Sequence, residues 1–287
     1  MQVLKVVPRG YCYGVVDALV LAKRIARDPG TPRPIHVLGQ IVHNRHAVEE
    51  LNRHGIVTLD GPDRLALLDT VTEGTVIFTA HGISPRVKER ARARGLHVVD
   101  ATCPDVERTH DLIRSLAAGG ARILYIGKRG HPEPEGAMGE APGRVHLVET
   151  RADVDALGPL PGRLAVLTQT TLSQWDTRDL IAYIQERYPE IEVYNEICRA
   201  TQERQEAAVA AAREVDCVVV VGDTRSNNSN RLVEVVRKVA GRPSYLVDSV
   251  AELDPAWFRG LSRVAVTAGS STPTEVTRAV IERLESL

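Results

Sequence analysis

The chain has 287 residues, with 36 Lys and Arg against 37 Asp and Glu and with 43% hydrophobic residues. This composition is typical of a folded globular protein of two or three domains, and the net charge of −1 excludes the broad positive field of a nonspecific nucleic-acid or membrane-surface binder. No apolar run approaches the ~18 residues of a membrane span and the strand-like start does not resemble an export signal, so the sequence predicts a cytoplasmic protein.

Strand-like runs rich in Val, Ile and Leu alternate with helical periodicity along the chain, which predicts an α/β fold with mainly parallel sheets. Twelve strands are predicted, near residues 3–7, 35–38, 56–59, 75–79, 96–99, 122–126, 145–148, 163–167, 191–194, 216–221, 244–247 and 263–267. Helices are predicted to begin at Ser84-Pro85 and at Ser173, the second ending near Tyr188 before a proline.

Three of the four cysteines occupy similar places in this pattern. Cys12, Cys103 and Cys198 are separated by 91 and 95 residues, and each follows a strand-like segment and precedes a helix-like one. Each thiol is thus expected at a helix N-terminus, where the helix dipole favours the thiolate. Cys217 lies inside a Val-rich run and is predicted to be buried in a strand. The spacing predicts three similar α/β domains, at residues 1–102, 103–197 and 198–287.

Three thiolates from equivalent positions can hold an iron–sulfur cluster. The usual complement of such a cluster is four cysteines, so one iron would lack a protein thiolate. An open position is typical of catalytic rather than structural metal sites, because a substrate can bind there. On spacing alone, the alternative is a structural zinc ion with a histidine as its fourth ligand.

Three histidines, His43, His81 and His131, lie in loops directly after predicted strands, where open α/β sheets bind ligands. His131 opens the segment His-Pro-Glu-Pro-Glu, whose two prolines are expected to hold it extended with His131, Glu133 and Glu135 on one side. A carboxylate beside a histidine and a metal cluster is suited to deliver a proton. The alternative for this segment is an acidic surface loop.

Clusters of hydroxyl and amide side chains also follow strands and open helices. They lie at residues 168–173, 226–230 and 268–273, and Pro273 is expected at the first helical position. Together with the histidines, such clusters can bind a phosphate or diphosphate through hydroxyl donors and helix N-termini. The absence of a dinucleotide fingerprint and of a Walker A loop argues against a nucleotide ligand.

These motifs, taken in order, closely resemble the LytB/IspH family of diphosphate reductases, over nearly the whole chain. The segments that match are Pro8-Arg9-Gly10-Tyr11-Cys12, Ile41-Val42-His43-Asn44, Asp100-Ala101-Thr102-Cys103-Pro104, His131-Pro132-Glu133, Thr168-Gln169-Thr170-Thr171-Leu172-Ser173, Ser229-Asn230-Arg231-Leu232 and Thr267-Ala268-Gly269. The resemblance implies a pseudo-threefold trefoil of three α/β domains around a central [4Fe–4S] cluster. It also implies that Cys12, Cys103 and Cys198 hold this cluster and that its remaining iron binds the substrate.

The resemblance further implies the reaction, the reductive removal of the allylic hydroxyl of 4-hydroxy-3-methylbut-2-enyl diphosphate in the last step of the non-mevalonate isoprenoid pathway. The products would be isopentenyl and dimethylallyl diphosphate, and flavodoxin or ferredoxin would donate the electrons. By matching position, Glu133 would supply a proton and Thr170 would contact the substrate hydroxyl. The diphosphate would be bound by His43, His81, His131, Ser226, Asn227, Asn228 and Ser271.

One position departs from the family pattern, since Asn227 stands where many relatives have a serine. Its amide can still donate a hydrogen bond, so diphosphate binding is expected to survive.

Two other functions remain possible from the sequence. One is a zinc-dependent hydrolase or lyase that uses the three loop histidines and Glu133, and the other is an iron–sulfur sensor or scaffold without catalytic activity. Nucleic-acid and membrane partners are not expected.

Overall fold

The computed structural model describes all 287 residues and contains twelve strands and eleven α-helices. The strands are β1 (Gln2–Lys5), β2 (Ile35–Leu38), β3 (Ile56–Leu59), β4 (Thr75–Phe78), β5 (His97–Asp100), β6 (Arg122–Ile126), β7 (Val145–Val148), β8 (Leu164–Thr168), β9 (Glu192–Tyr194), β10 (Cys217–Val221), β11 (Ser244–Val247) and β12 (Arg263–Ala268). The helices are α1 (Tyr13–Arg27), α2 (Arg45–Arg53), α3 (Arg64–Asp69), α4 (Pro85–Ala93), α5 (Pro104–Ala118), α6 (Pro132–Glu140), α7 (Arg151–Leu157), α8 (Gln174–Arg187), α9 (Arg199–Ala212), α10 (Asn227–Ala240) and α11 (Thr274–Glu285). Two short 3-10 helices, Val250–Glu252 and Pro255–Phe258, follow β11.

The α/β fold class and all twelve predicted strands are confirmed. The strands form three four-stranded sheets in the orders β3-β2-β4-β5, β7-β6-β8-β9 and β11-β10-β12-β1, and every pairing is parallel. The sheets share one connection order, in which the first and third strands of each set lie at the centre. In the last sheet, β1 takes the place that β5 and β9 occupy in the others.

The position of β1 differs from a simple division of the chain into three consecutive parts. Gln2 pairs with Arg263 and Lys5 with Val266, so the first strand completes the sheet formed by the C-terminal residues. Hydrophobic patterning identifies a strand but does not specify its partner, which explains why the sequence does not reveal this pairing. The predicted domain boundaries after residues 102 and 197 stay a prediction.

One compact unit comprises Met1–Val15, His43–Ala47 and Cys198–Leu287. Its sheet is buried on both faces, because α9 and α10 pack on one face through residues such as Ala208 and Leu232. Helix α11 packs on the other face, against the side of β10 that carries Val219. A parallel strand covered on both sides needs apolar residues at successive positions, which is the pattern of β10.

The second unit comprises Val16–Val42 and Val48–Ile197 and contains the other two sheets. In the sheet centred on β6 and β8, α7 and α8 cover one face and α5 and α6 cover the other. In the sheet centred on β2 and β4, α3 and α4 pack through Leu68 and Val87 against Phe78. None of the helices of the protein combines the length and the apolar character that crossing a membrane requires.

The central strands should contribute most to stability. Val166 in β8 is fully buried, so we expect Val166→Ala to lower the free energy of unfolding by about 2 kcal/mol through lost burial and the cavity left behind. Val193 lies opposite Val166 in the register of β8 and β9, but it is 40% exposed. For Val193→Ala we expect a loss below about 1 kcal/mol. Urea unfolding measures both variants, and equal losses would contradict this packing.

Candidate active site

Equivalent loops of the three sheets carry the candidate residues. In a parallel sheet all strands end at the same edge, where ligands usually bind. The loop after the strand that lies fourth in each sheet carries a cysteine, namely Cys12, Cys103 and Cys198. The loops after the two central strands of each sheet carry the polar candidates, namely His43 and His81, His131 and Thr170, and Ser226 and Ser271.

The three thiols lie at helix N-termini, as the sequence predicts. Cys103 and Cys198 are the N-cap residues of α5 and α9, Pro104 is the first residue of α5, and Cys12 directly precedes α1. All three cysteines are half-buried and none is in a disulfide bond. Cys217 is different, since it lies in β10 with 1% exposure and burial raises the pKa of its thiol to about 11. The prediction that Cys217 is a buried strand residue is confirmed.

A path of hydrogen bonds joins Cys12 to Cys198 within the first unit. The Cys12 N–H donates to the Ser270 carbonyl at 3.1 Å, and the Ser270 N–H donates to Asn228 Oδ1 at 3.0 Å. The Asn228 amide group donates to Thr201 Oγ1 at 3.2 Å, and this oxygen lies 3.2 Å from Cys198 Sγ. Because the Thr201 hydroxyl has one donor and two acceptor sites, it can accept from Asn228 and still share a hydrogen bond with the Cys198 sulfur.

The hydroxyl candidates of the first unit lie at the start of α10. Ser226 caps this helix by accepting the Ser229 N–H at 3.2 Å, so its own O–H can donate elsewhere. Ser271 Oγ lies 3.5 Å from Ser226 Oγ and donates to the His43 carbonyl at 3.0 Å. Asn227 is the first residue of α10 and is 3% exposed.

Two local predictions for the helix starts are wrong. The segment after His131 is not extended, because α6 begins at Pro132 and His131 is its N-cap. The N–H groups of the first helical turn have no partner within the helix, so both prolines fit there without losing a hydrogen bond. As a result Glu133 is buried while Glu135 is exposed. Pro273, expected at the first position of α11, is instead its N-cap, with an extended ψ of 146°.

Gln169 fixes the orientation of the His131 ring. The His131 Nδ1 atom lies 3.1 Å from the Glu133 N–H and 3.2 Å from the Gln169 amide nitrogen. The Gln169 oxygen accepts the Lys128 N–H at 2.9 Å, which turns the amide nitrogen toward the ring. With two donors directed at it, Nδ1 is the acceptor of the ring, and the proton of neutral His131 lies on Nε2.

Glu133 is a buried acid held by Thr170. Its carboxylate accepts the Thr170 N–H at 2.7 Å, and the residue is 2% exposed. Burial raises the pKa of the Glu133 carboxyl above its usual value, although hydrogen bonds from Thr170 and Gln169 and the nearby His110 oppose the rise. A carboxyl group that keeps its proton to higher pH is suited to act as a general acid.

His81 and His131 lie side by side in the second unit, with ring centroids 5.2 Å apart in an edge-to-face arrangement. Behind them, Gly82 has a φ of +78°, and a Cβ at this position would lie 2.8 Å from the His110 ring. Glycine is therefore required where the His81 loop packs on α5.

His110 joins a buried charge network in the same unit. Its Nδ1 lies 2.9 Å from a Glu140 carboxylate oxygen, and the other oxygen of this carboxylate accepts from Arg114 at 2.6 Å. Burial alone would raise the pKa of Glu140, but His110 and Arg114 hold it below its usual value. This network ties α5 to α6, the helix that carries Glu133.

The contacts of Gln169, His110 and the buried Arg204 are not evident from the sequence. Gln169 lies inside the cluster of hydroxyl and amide side chains at residues 168–173, and its place in that cluster is a sequence signal for a site residue. His110 and Arg204 lie in the middle of α5 and α9, where a single polar residue has no distinctive pattern. The structure places them by tertiary contacts alone.

Within each unit, the arrangement supports two kinds of chemistry. The first unit brings together two thiols, four candidate hydroxyl or amide side chains and the N-terminus of α10, which can bind a metal centre and an anion. The second unit brings together His81, His131, Thr170 and the buried acid Glu133, and it also contains Cys103. These groups can bind an anion and transfer a proton.

Comparison with known proteins supports the resemblance seen in the sequence. The family model described as LytB protein matches residues 3–285. A protein of Symbiobacterium thermophilum named 4-hydroxy-3-methylbut-2-enyl diphosphate reductase is 63% identical over 286 residues, which cover 99% of this chain and 97% of that protein. A protein of the same name from Brevibacillus brevis is 59% identical over 285 residues, which cover 99% of this chain and 92% of that protein.

A solved structure has the same fold. The E-1-hydroxy-2-methyl-but-2-enyl-4-diphosphate reductase of Plasmodium falciparum matches 98% of this chain and 87% of its own, with a TM-score of 0.91 and 32% sequence identity. Because the family model and the relatives each cover almost the whole sequence, the chain belongs to the LytB protein family.

Proposed function

We propose that the protein is a 4-hydroxy-3-methylbut-2-enyl diphosphate reductase. It removes the allylic hydroxyl of this substrate as water and forms isopentenyl and dimethylallyl diphosphate, the last step of the non-mevalonate isoprenoid pathway. The reaction consumes two electrons and two protons for each substrate. The observation that carries the proposal is the buried acid Glu133, held by Thr170 beside His131, in a chain whose relatives are named for this reaction.

The three helix-terminal thiols fit an iron–sulfur cluster. Thiolates are the usual protein ligands of such clusters, and a helix N-terminus favours the thiolate form. Near Cys12 and Cys198, the Nε atom of Arg204 is a buried donor without a hydrogen-bond partner. An anionic sulfur cluster would use the thiolates as ligands and would place a negative charge beside the buried Arg204 guanidinium. We propose that Cys12, Cys103 and Cys198 hold a [4Fe–4S] cluster in which one iron has no protein thiolate.

When bound, this cluster supplies electrons to the substrate and acts as a Lewis acid toward its hydroxyl group. Thr170 is placed to contact that hydroxyl, since its own O–H and N–H are directed at the Glu133 carboxylate and its oxygen lone pairs remain available. Glu133 then protonates the departing oxygen, which makes it leave as water rather than as hydroxide. Flavodoxin or ferredoxin is the electron donor that the family resemblance implies.

Neutral donors bind the diphosphate in this proposal. The Ser226 hydroxyl and the second amide hydrogen of Asn228 are donors that can bind phosphate oxygens, and His131 belongs to the same proposed set. The N-terminus of α10, which begins at Asn227, adds the positive end of its dipole. His43, His81 and Ser271 complete the proposed set. Binding at this end of the substrate orients the allylic carbon at the other end.

The comparisons offer no support for the zinc-dependent hydrolase or lyase that the sequence left open, because the named relatives are reductases. The cytoplasmic location predicted from the sequence stays a prediction.

The function itself is tested by incubating the anaerobically purified protein with the allylic diphosphate and a chemical reductant. We expect both isoprene diphosphates as products. Release of phosphate or diphosphate without reduction would contradict the proposal.

The role of Glu133 predicts the effect of its substitution. In Glu133→Gln the amide cannot supply a proton, so we expect kcat to fall by about 10²–10⁴-fold while cluster content and KM change little. Glu135→Gln is the matched control, because Glu135 is two residues away on α6 but exposed. Steady-state kinetics of the reconstituted enzymes measure both. Unchanged turnover in Glu133→Gln would remove this role.

The raised pKa of Glu133 predicts a pH dependence of turnover. A proton donor must be protonated, and burial keeps the Glu133 carboxyl protonated to higher pH than an exposed glutamate. We therefore expect kcat to fall as the pH rises through this raised pKa, and we expect the residual rate of Glu133→Gln to lack that fall. A pH profile of kcat measures both. The same alkaline fall in the variant would assign it to another group.

The ligand assignment predicts which cysteines control iron content. We expect Cys103→Ser to lose most of its iron, because it removes one of three thiolates at a helix N-terminus. Cys217→Ala should retain full iron content, since Cys217 is buried in β10 and its thiol pKa is raised to about 11. Iron and sulfide analysis after anaerobic reconstitution compares the variants. Equal loss in both would overturn the assignment.

A further inference from the structure

Arg204 is a buried cation that connects the two thiol-bearing segments of the first unit. It lies on α9, six residues after Cys198, and is 4% exposed. Its guanidinium donates to the Ala200 carbonyl at 2.8 Å on its own helix. It also donates to the carbonyls of Gly10 at 2.7 Å and Tyr11 at 3.2 Å, which directly precede Cys12.

No carboxylate pairs with this charge. The guanidinium bonds only to backbone carbonyls, and its Nε–H has no partner. The adjacent Glu203 pairs with Arg199 at 2.6 Å on the exposed side of α9. Burial lowers the pKa of Arg204, and the groups that oppose this effect are first Cys12 and Cys198, then Glu203.

A buried charge is costly unless a charge of opposite sign lies near it. The guanidinium bonds to the two residues before Cys12 and lies on the helix that Cys198 caps, so the anionic cluster of the proposed function would supply that negative charge. Arginine is suited to such a place, because its guanidinium stays protonated at all accessible pH values and presents its donors in a fixed plane.

We infer that Arg204 is a positioning residue that raises the reduction potential of the cluster held by Cys12 and Cys198. Each electron added to a cluster increases its negative charge, so a fixed positive charge beside its ligands stabilises the reduced form more than the oxidised form. The Nε–H of Arg204 has no partner in the structure, and any hydrogen bond from the guanidinium to sulfur would raise the potential in the same direction. This inference rests on the cluster of the proposed function.

The test compares three variants of the reconstituted holoprotein. Arg204→Gln removes the buried charge, and Arg204→Lys keeps a charge in the same helical turn. Arg199→Gln is the matched control, because it removes the same charge from α9 next to Cys198, where the side chain is 89% exposed and solvent screens it. The readout is an anaerobic redox titration with dithionite and mediators, followed by absorbance and electron paramagnetic resonance, with iron and sulfide counted for each protein.

We expect Arg204→Gln to lower the reduction potential of the cluster. At a fixed solution potential, the ratio of oxidised to reduced cluster should rise by about tenfold or more, which is equivalent to about 59 mV for one electron. Arg204→Lys should lower the reduction potential by less than half as much, and Arg199→Gln should leave the potential near the parent value. A variant Arg204→Gln that loses its cluster while Arg204→Lys retains it near the parent potential also supports a need for the charge.

Other results overturn the inference. Equal shifts in Arg204→Gln and Arg204→Lys, no shift in either, or loss of the cluster from both would assign Arg204 only the role of bonding the carbonyls of residues 10 and 11. The parent protein distinguishes this failure from failure of the proposed function. A parent protein that binds no cluster after reconstitution contradicts the proposed function itself, whereas a loaded parent with unmoved variants contradicts only the inference about Arg204.

Discussion

The three sheets all pair their strands in parallel and in the same order, and this pairing places the candidate loops. Because all strands of a sheet end at the same edge, the loops and helix N-termini that follow them also gather at that edge. In each sheet, the loop after the fourth strand therefore carries one thiol, and the loops after the two central strands carry polar side chains at the same edge. The helix dipoles that favour a thiolate at Cys103 and Cys198 and an anion at the start of α10 follow from the same geometry.

Two buried ionisable groups give this geometry its chemical character. Burial raises the pKa of the Glu133 carboxyl, so ionising this group costs more free energy than ionising an exposed glutamate. Arg204 keeps a positive charge among backbone carbonyls without a carboxylate partner. In both cases burial disfavours the charged form of the group, and shifts of this kind cluster at functional sites.

The sequence predicts elements better than it predicts contacts. Strong hydrophobic runs identify every strand, and the cap at Ser84 and the N-terminal proline of α5 follow from local chemistry alone. The extended form expected after His131 was wrong because proline fits both extended chain and the first turn of a helix. The partner of β1, the network of His110 and the burial of Arg204 depend on contacts between distant parts of the chain, which no local pattern encodes.

We propose that this chain couples electron uptake to the loss of an allylic hydroxyl. The most direct test is the stoichiometry of a single anaerobic reaction, with oxidised reductant and isoprene diphosphate products counted together. We expect two electrons to be consumed for each molecule of isopentenyl or dimethylallyl diphosphate formed. Substrate consumption without reductant oxidation would contradict it and would point to hydrolysis or elimination instead.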